Sequence, residues 1–504
     1  MLKLIVFVCG AVVMILEMVG SRVLAPYLGT SILVWTALIG VILGCLSLGS
    51  WWGGRLADRT DDPKADSKAG LALLANLILL AAVCTGAIAL SKVLILPYLQ
   101  RTAGSIQAGA VLATVLLFAP PAVLLGMVSP LATKLALSGS ATPGRTLGTF
   151  QALATVGGIL GTFLAGFVLI ASLGSTNILL LLALILAATS VAARPSRPLP
   201  GAATALAMGL FLHAAGTYDA SVAAMGVHDL DTLYNRILIQ PGVDRRTGLE
   251  VRTLSTSLRF LQSAMYVYDP SVLVLDYTKV YKLAAYFRPE MRRMLVIGGA
   301  GYSFPKYALA AYPNVSVDVV ELDPGMTEAA RRHFGLTEDP RLRIFHEDAR
   351  TFLNRQAERY DVILCDAFSS IYSVPFHLTT LEAVQDLSKS LTPGGVVLAN
   401  LVSAREGGGA RFYEAEYATY ARVFPQVHAF AVDSPEDPGP VQNIILAGLD
   451  SLEPAALESA DPELGGFLSQ RVPGPDPERA KGLVLTDDYA PVDFFLALLE
   501  IGNM

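Results

Sequence analysis

The chain has 504 residues, enough for two or three domains, and its six histidines and four cysteines show no metal-ligand or disulfide spacing. A net charge of −6 and the lack of any Lys/Arg-rich run exclude a basic nucleic-acid-binding surface. A mean hydropathy of +0.51 with 53% hydrophobic residues excludes an ordinary soluble protein. Almost all of the excess lies before residue 217, so we predict a membrane domain over residues 1–218 and a water-soluble part after it.

The first part is predicted to be a multi-pass α-helical membrane domain. Six apolar runs have roughly the length that spans a bilayer: 2–28, 31–53, 69–98, 106–137, 147–172 and 174–193. The first run is too long for the core of a signal peptide, so we expect it to be retained. A weaker run near 202–217 gives a seventh candidate span.

Lys and Arg residues indicate the orientation of this domain, because they favour the cytoplasmic side. They concentrate after the second, fourth and sixth runs, as Arg55, Arg59, Lys64, Lys68, Lys134, Arg145, Arg194 and Arg197. If residues 202–217 span the membrane, the soluble part lies outside the cytoplasm, and the lack of Lys and Arg from 198 to 235 favours this. The chemistry inferred for the soluble part favours the cytoplasm instead. We expect a protein of the cell (inner) membrane with a cytoplasmic soluble part.

Glu17 lies within the first apolar run. A carboxylate inside a membrane span is costly, and it suggests a functional site by default. Two interpretations stay open. Glu17 pairs with Arg22 or a polar group of a neighbouring helix, or it forms a site for a cation.

The soluble part is predicted to begin with a β-rich segment, residues 219–285. The stretch DTLYNRILIQ alternates apolar and polar residues, as a half-buried strand does. GLEVRTLSTS predicts another strand, and LVLDYTKVYKLAAYF has a helical pattern.

Residues 286–504 are predicted to form an α/β domain with a Rossmann-like fold of the S-adenosylmethionine type. MLVIGGAGYSFPKYAL reads as a strand, a glycine turn and a helix. The next three strands each end on a carboxylate, at Glu321, Asp348 and Asp366. Ligands of open parallel sheets bind beyond the carboxyl ends of the strands, and an acid after the second strand suits ribose hydroxyls. Each acid alone could be a helix N-cap, but the ordered set predicts a nucleoside site.

The segment from about 229 to 400 resembles the polyamine aminopropyltransferases, the family of spermidine synthase. The stretches that carry the resemblance are YNRILIQ, DYTKVY, VVELDPGMTEAARRHF, DPRLRIFHEDARTFL, YDVILCDAF and LTPGGVVLAN. DAFSSIYSVPFHLTT and LTDDYAPVD look like a membrane-fused branch of this family, which carries an N-terminal multi-span domain.

The resemblance implies transfer of an aminopropyl group from decarboxylated S-adenosylmethionine to putrescine or a related amine, with methylthioadenosine as product and no metal. Asp366 is the implied proton acceptor, and Tyr277 assists it and binds substrate. The implied donor-binding residues are Gln262, Gly298, Gly299, Gly301, Glu321 for the ribose, Asp348 for the adenine, and Ala349. Ser369, His377 and Glu382 are expected at the acceptor end. Expected partners are the small amine, the lipid bilayer and a second copy in a homodimer.

Two positions depart from the family pattern. Gly301 stands where the family has an Asp that holds the amine of the donor, and Ser369 stands where it has a second Asp for the acceptor. Losing one partner of a buried charge pair costs about 2–5 kcal/mol. We therefore expect weaker binding of the usual substrates unless other acids compensate.

Two alternative functions remain open from the sequence. One is another S-adenosylmethionine-type transferase, such as a methyltransferase or an enzyme with an unusual acceptor, because intact S-adenosylmethionine carries a carboxylate near Gly301. The other is a polyamine sensor or transporter with a non-catalytic soluble domain. Glu17 and the stretch WWGGRLADRTDD, which resembles a major-facilitator loop, motivate it.

Overall fold

The computed structural model describes residues 1–58, 67–137, 142–194, 199–257, 261–367 and 374–499. Within this part the chain divides into two compact units, Met1–Met225 and Gly226–Met504.

The described N-terminal unit is built from helices. They are α1 (Leu2–Leu28), α2 (Ile32–Asp58), α3 (Ser67–Thr102), α4 (Ile106–Leu117), α5 (Ala119–Leu137), α6 (Pro143–Leu164), the π-helical stretch Ala165–Leu169, α7 (Ile170–Ser172), α8 (Ser175–Ala193) and α9 (Leu199–Ala224). Six helices of the described part are long and apolar enough to cross a membrane, counting Pro143–Ser172 as one. This agrees with a multi-pass helical domain. The uncertain run 202–217 lies inside α9, which is not one of the six.

The expected single span over 106–137 is instead two helices that meet at Phe118. Pro120 and Pro121 follow at once, and proline has no backbone N–H to donate to the preceding turn. The apolar run hides this break because its hydropathy is continuous.

Small residues let pairs of these helices approach closely, as they do in many membrane bundles. A Cβ atom on Gly157 of α6 would lie 2.1 Å from the carbonyl oxygen of Phe7 in α1. A Cβ atom on Gly49 of α2 would lie 2.2 Å from that of Val123 in α5. At each of these positions the glycine lets the helix lie directly against the backbone of its neighbour. Glu17 is buried in α1.

The C-terminal unit begins with a four-stranded antiparallel sheet in the order β1-β2-β3-β4. Its strands are β1 (His228–Asp231), β2 (Arg236–Val243), β3 (Glu250–Ser255) and β4 (Leu261–Tyr266). The helical pattern that follows forms two short helices, α10 (Asp276–Val280) and α11 (Leu283–Phe287).

A mixed eight-stranded sheet follows, in the order β12-β10-β11-β9-β8-β5-β6-β7. Its strands are β5 (Arg293–Ile297), β6 (Ser316–Val320), β7 (Leu342–Phe345), β8 (Tyr360–Cys365), β9 (Leu391–Ser403), β10 (Gln426–Ala431), β11 (Gln442–Leu449) and β12 (Arg471–Val472). Strands β5 to β9 pair in parallel, and β10 to β12 extend the sheet in antiparallel fashion. The connecting helices are α12 (Ser303–Ala311), α13 (Pro324–His333), α14 (Ala349–Arg355), α15 (Leu381–Lys389), α16 (Arg411–Tyr420), α17 (Pro462–Ser469), α18 (Pro477–Ala480) and α19 (Val492–Leu496), with 3₁₀ turns at Phe376–Leu378 and Gly408–Ala410.

The central strands are buried on both faces of the sheet. In β5, Met294 and Val296 pack into one core, while Leu295 and Ile297 pack into the other. Two-sided burial is typical of parallel strands, and it explains why these segments read as continuous apolar runs. The order of strands and helices confirms the Rossmann-like fold predicted from the sequence.

Candidate active site

A cavity of about 140 Å³ lies at the carboxyl ends of the parallel strands. Strands β5 to β8 contribute residues at or just past their ends, and β9 contributes Asn400 from its interior. The residues of β5 to β8 are Ile297 and Gly298, Val320 and Glu321, Glu347 and Asp348, and Asp366 and Ala367. The remaining walls come from Asn235, Gln262, Tyr277, Ala300, Leu322, Met326, Ala349, Pro375, His377 and Leu378. This is the place where open parallel sheets bind ligands.

The glycine turn after β5 is fixed by Glu321. Gly299 donates its N–H to Glu321 Oε2 at 2.8 Å, and Asp323 donates its N–H to Oε1 at 2.9 Å. Burial raises the pKa of Glu321, although these N–H groups act in the opposite direction. Gly298 has a positive φ of 93°, and a Cβ atom there would lie 2.4 Å from the carbonyl oxygen of Asp366. Only glycine suits that position, which brings β5 and β8 together beneath the cavity.

Asp348 and His377 meet at the opposite wall. His377 Nε2 lies 3.0 Å from Asp348 Oδ2, and the N–H of Thr351 donates to Oδ1 at 2.9 Å, which caps α14. Burial disfavours the ionised Asp348, but the Thr351 N–H and the His377 ring outweigh it and lower its pKa. Two residues predicted for different ends of the site are thus hydrogen-bonded neighbours.

Asp366 is held by a chain of two amides. Asn400 on β9 donates from Nδ2 to Asp366 Oδ1 at 3.0 Å, and Asn443 on β11 donates to Asn400 Oδ1 at 3.0 Å. Asp366 is partly accessible where it borders the cavity. Burial raises the pKa of its carboxyl to about 6, against the lowering effect of Asn400 and of the Tyr277 and Tyr281 hydroxyls. A carboxylate with this pKa accepts a proton readily near neutral pH.

Two tyrosines stand beside Asp366. The Tyr277 hydroxyl donates to the carbonyl oxygen of Gln262 at 3.1 Å. The Tyr281 hydroxyl is buried and has no hydrogen-bond partner among the described residues, so its effect on Asp366 acts across more than hydrogen-bond distance. The pKa values of both tyrosines are raised by burial and by the nearby Asp366 charge, so both hydroxyls remain protonated.

Most of the predicted site residues line this one cavity: Gln262, Tyr277, Gly298, Glu321, Asp348, Ala349, Asp366 and His377. Gly299 and Gly301 do not line it, and the N–H of Gly301 donates to Ser263 Oγ at 3.0 Å. Glu382 also lies outside the lining, because its carboxylate accepts the N–H of Asp487 at 2.9 Å near the start of α15. Ser369 falls outside the described residues.

Sequence reasoning missed Asn235 and Asn400. Asn235 Nδ2 donates to Asp323 Oδ2 at 3.0 Å, which fixes the β1–β2 turn against the start of α13. Asn400 has a signal in the sequence, since it is a buried polar residue inside the apolar strand VVLANLV. No group of three or more potential metal-ligating side chains occurs in the part of the chain that the structure describes.

Comparison with known proteins finds similarity between part of the C-terminal unit and one family. Residues 277–445 match the model of the spermine/spermidine synthase domain, in agreement with the predicted resemblance. A polyamine aminopropyltransferase of Vibrio vulnificus (strain CMCP6) is 33% identical over 183 residues, which are 36% of this chain and 58% of that protein. The eEF1A lysine and N-terminal methyltransferase of Bos taurus is 28% identical over 213 residues, covering 39% of this chain and 29% of that protein.

Among solved structures, a probable spermidine synthase from Corynebacterium glutamicum aligns with a TM-score of 0.43 and 24% identity, over 50% of this chain and 94% of that one. The chain spans less than two thirds of the length of the curated relatives named above.

Proposed function

We propose, from the spermine/spermidine synthase domain that the C-terminal unit carries, that this chain is a membrane-anchored aminopropyltransferase. It transfers the aminopropyl group of decarboxylated S-adenosylmethionine to putrescine or a related small amine and releases methylthioadenosine. The observation that carries the proposal is Asp366, a carboxyl with a pKa raised to about 6 at the edge of a nucleoside-sized cleft.

We place the donor in the half of the cavity formed by β5 to β7. In the proposed complex the Glu321 carboxylate accepts the ribose hydroxyls, and Asp348 accepts the adenine amino group beside Ala349. Gln262 lies along the chain that carries the sulfonium, and Gly298 forms the floor. His377 orients Asp348 through the hydrogen bond already present between them.

The reaction is a displacement at carbon. The lone pair of the acceptor nitrogen forms a C–N bond to the aminopropyl carbon next to sulfur. The C–S bond breaks, and its electron pair stays on sulfur, which becomes the neutral thioether of methylthioadenosine. An ammonium cannot attack until it loses a proton, and Asp366 takes that proton, with Tyr277 positioning the amine. Because the sulfonium is already activated, alignment of the two reactants supplies much of the rate.

The test is release of methylthioadenosine by the purified full chain with decarboxylated S-adenosylmethionine and a panel of amines. We expect release that requires an amine and that falls by about 10²-fold or more in Asp366→Asn, in line with loss of a general base. Full turnover by Asp366→Asn would overturn the assigned role.

Methyl transfer is the second candidate, and the similarity to the bovine methyltransferase favours it. The glycine turn also has no acidic side chain at Gly301, and the N–H of Gly301 already donates to Ser263 Oγ. Intact S-adenosylmethionine belongs in the same assay for this reason. Formation of S-adenosylhomocysteine, without methylthioadenosine from the decarboxylated donor, would favour this candidate.

The setting of the enzyme is part of the proposal. The helices of the N-terminal unit anchor it in the inner membrane, the C-terminal unit faces the cytoplasm where its substrates are made, and two copies form a homodimer. Reporter fusions after residue 225 test the side of the membrane. Mass measurement in detergent tests the assembly.

A further inference from the structure

A second, smaller cavity adjoins the first beside Asp366. The two share four lining residues, Ile297, Ala367, Leu378 and Asn400. The other walls of the second cavity come from α14, α15, α16, the end of β8, the interior of β9 and the segment before α15. They are mostly apolar, with Leu353, Ala383 and Leu387 among them. We call it the α16 recess.

Glu416 of α16 is the acid that lines this recess. The residue is only 2% exposed, and its Oε1 has no hydrogen-bond partner within the described chain. A buried polar group without a partner is unfavourable for folding, and native structures rarely keep one without a reason. Its presence calls for a partner that arrives with a ligand.

The contrast with Glu414, on the same helix, strengthens this point. Glu414 is equally buried, but Arg411 and Arg479 pair with it at 3.4 and 2.7 Å. No Arg or Lys of the described chain pairs with Glu416 in this way. The titratable groups that face it, Cys365 of β8 and Tyr420 of α16, are neutral at pH 7 because burial raises the pKa of both.

The chemistry of the α16 recess suits one end of an alkylammonium ion. Its apolar walls match a short methylene chain, and a carboxylate pairs with an ammonium group, which has three donors and one charge. The shared residues place this end next to the carboxyl that we assign to proton transfer.

We propose that the α16 recess binds the distal ammonium of an alkyl diamine, with Glu416 as its counter-ion, while the reacting nitrogen lies at Asp366. The inference rests on the proposed aminopropyl transfer and adds Glu416 as the residue that distinguishes a diamine from a monoamine. Burial raises the pKa of Glu416 well above its usual value and so favours its protonated form. Pairing with an ammonium then releases that proton to solvent.

Calorimetry on the full chain in detergent tests this without turnover. Putrescine and butylamine are titrated in buffers of different ionisation enthalpy. The change in measured binding heat from one buffer to the next reports how many protons are released. We expect putrescine binding to release a proton and to weaken about tenfold or more in Glu416→Gln, with loss of the proton signal. Butylamine binding should be the same in both proteins. Unchanged putrescine binding by Glu416→Gln would overturn the inference.

Two further variants control for folding. Glu416→Leu removes the buried acid without leaving a polar group, and it should also lose the preference for putrescine over butylamine. Glu414→Gln changes the same residue type on the same helix away from the recess, and it should keep that preference. An equal loss of the preference for putrescine in Glu414→Gln would show that the effect comes from disturbing α16, and it would contradict the proposal.

The assay of methylthioadenosine separates this inference from the proposed function. If no amine gives methylthioadenosine but Glu416→Gln still weakens putrescine binding, the proposed transfer reaction is wrong and the proposed role of the α16 recess is supported. If release of methylthioadenosine is normal and Glu416→Gln shows an unchanged KM for putrescine, the proposed reaction is supported and the proposed role of the α16 recess is wrong.

Discussion

At the scale of single residues, the site depends on acids that the fold makes costly. Asp366 and Glu321 both have a raised pKa because burial disfavours their charged forms. Perturbed acids in a cleft are typical of functional sites. Burial of these ionisable groups lowers the free energy of unfolding. The raised pKa that it produces makes Asp366 a better proton acceptor.

Asp366→Asn is therefore expected to lose turnover and gain stability. The native pKa of about 6 lies above the unfolded value near 3.8, so the native state binds the proton more tightly and stability falls as pH rises through that window. Removing the charge should raise the free energy of unfolding by about 3 kcal/mol at pH 7. Thermal melts at pH 7 and pH 4 measure this, and the gain should shrink at pH 4. An equal or larger gain at pH 4 would contradict the assignment.

Tyr277→Phe should shift the pH profile of activity. The Tyr277 hydroxyl lowers the pKa of Asp366, so its loss raises that pKa, and the acid limb of kcat/KM, expected near pH 6, moves to higher pH. Tyr281→Phe is the matched control, because its hydroxyl has the smaller effect and should cause a smaller shift. An acid limb that stays in place in Tyr277→Phe would argue against Asp366 as the titrating group.

At the scale of elements, one side chain joins the two sheets of the C-terminal unit. Asp323 caps α13 by accepting the N–H of Gly325 at 2.9 Å, and it also accepts from Thr232 at 2.6 Å and Asn235 at 3.0 Å. The β1–β2 turn is thereby fixed to the helix that follows β6. Asn235 reaches the cavity through this connection.

Asp323→Ala should destabilise the protein by about 3 kcal/mol, since a cap is lost and two donors lose their acceptor. Asp461 caps α17 at an exposed position, so Asp461→Ala serves as the control and should cost about 1 kcal/mol. Denaturant unfolding of both variants makes the comparison. Equal effects would mean that the link to the small sheet contributes nothing.

The glycines of the helix pairs give a second element-scale prediction. A Cβ atom on Gly53 would lie 2.7 Å from Met127 Cα, whereas one on neighbouring Gly54 would meet nothing within 4 Å. Gly53→Ala should lower the melting temperature in detergent, because α2 and α5 must separate. Gly54→Ala should keep or raise it, since Ala is favoured over Gly in a helix by about 1 kcal/mol. The reverse order would contradict the packing described.

At the scale of the whole molecule, the chain divides into two units that differ in composition. The apolar helices belong to Met1–Met225, and the two sheets belong to Gly226–Met504 with their own cores. A chain that starts at Gly226 should fold and remain in the soluble fraction. The full chain should sediment with membranes and need detergent. Circular dichroism and fractionation check both, and an aggregated fragment would show that the second unit depends on the first.

The sequence was sufficient where a pattern repeats along the chain. Apolar runs predicted most of the long apolar helices, and strands ending on carboxylates predicted the sheet and most of the cavity lining. It was insufficient where a role depends on distant partners. Asn400 gains its role only when β9 lies beside β8, and Glu382 accepts an N–H from Asp487, far along the chain. The break at Phe118 was missed because hydropathy does not register a missing donor.

The two-sided burial of the central strands has an evolutionary consequence. Every interior position of β5 is committed to one core or the other, so mutations there are selected against for stability alone. Only the residues just past the strand ends escape both cores. Descendants of one ancestral sheet can therefore exchange substrates by altering this rim while inheriting the interior unchanged, and Asp348 is a rim position of this kind.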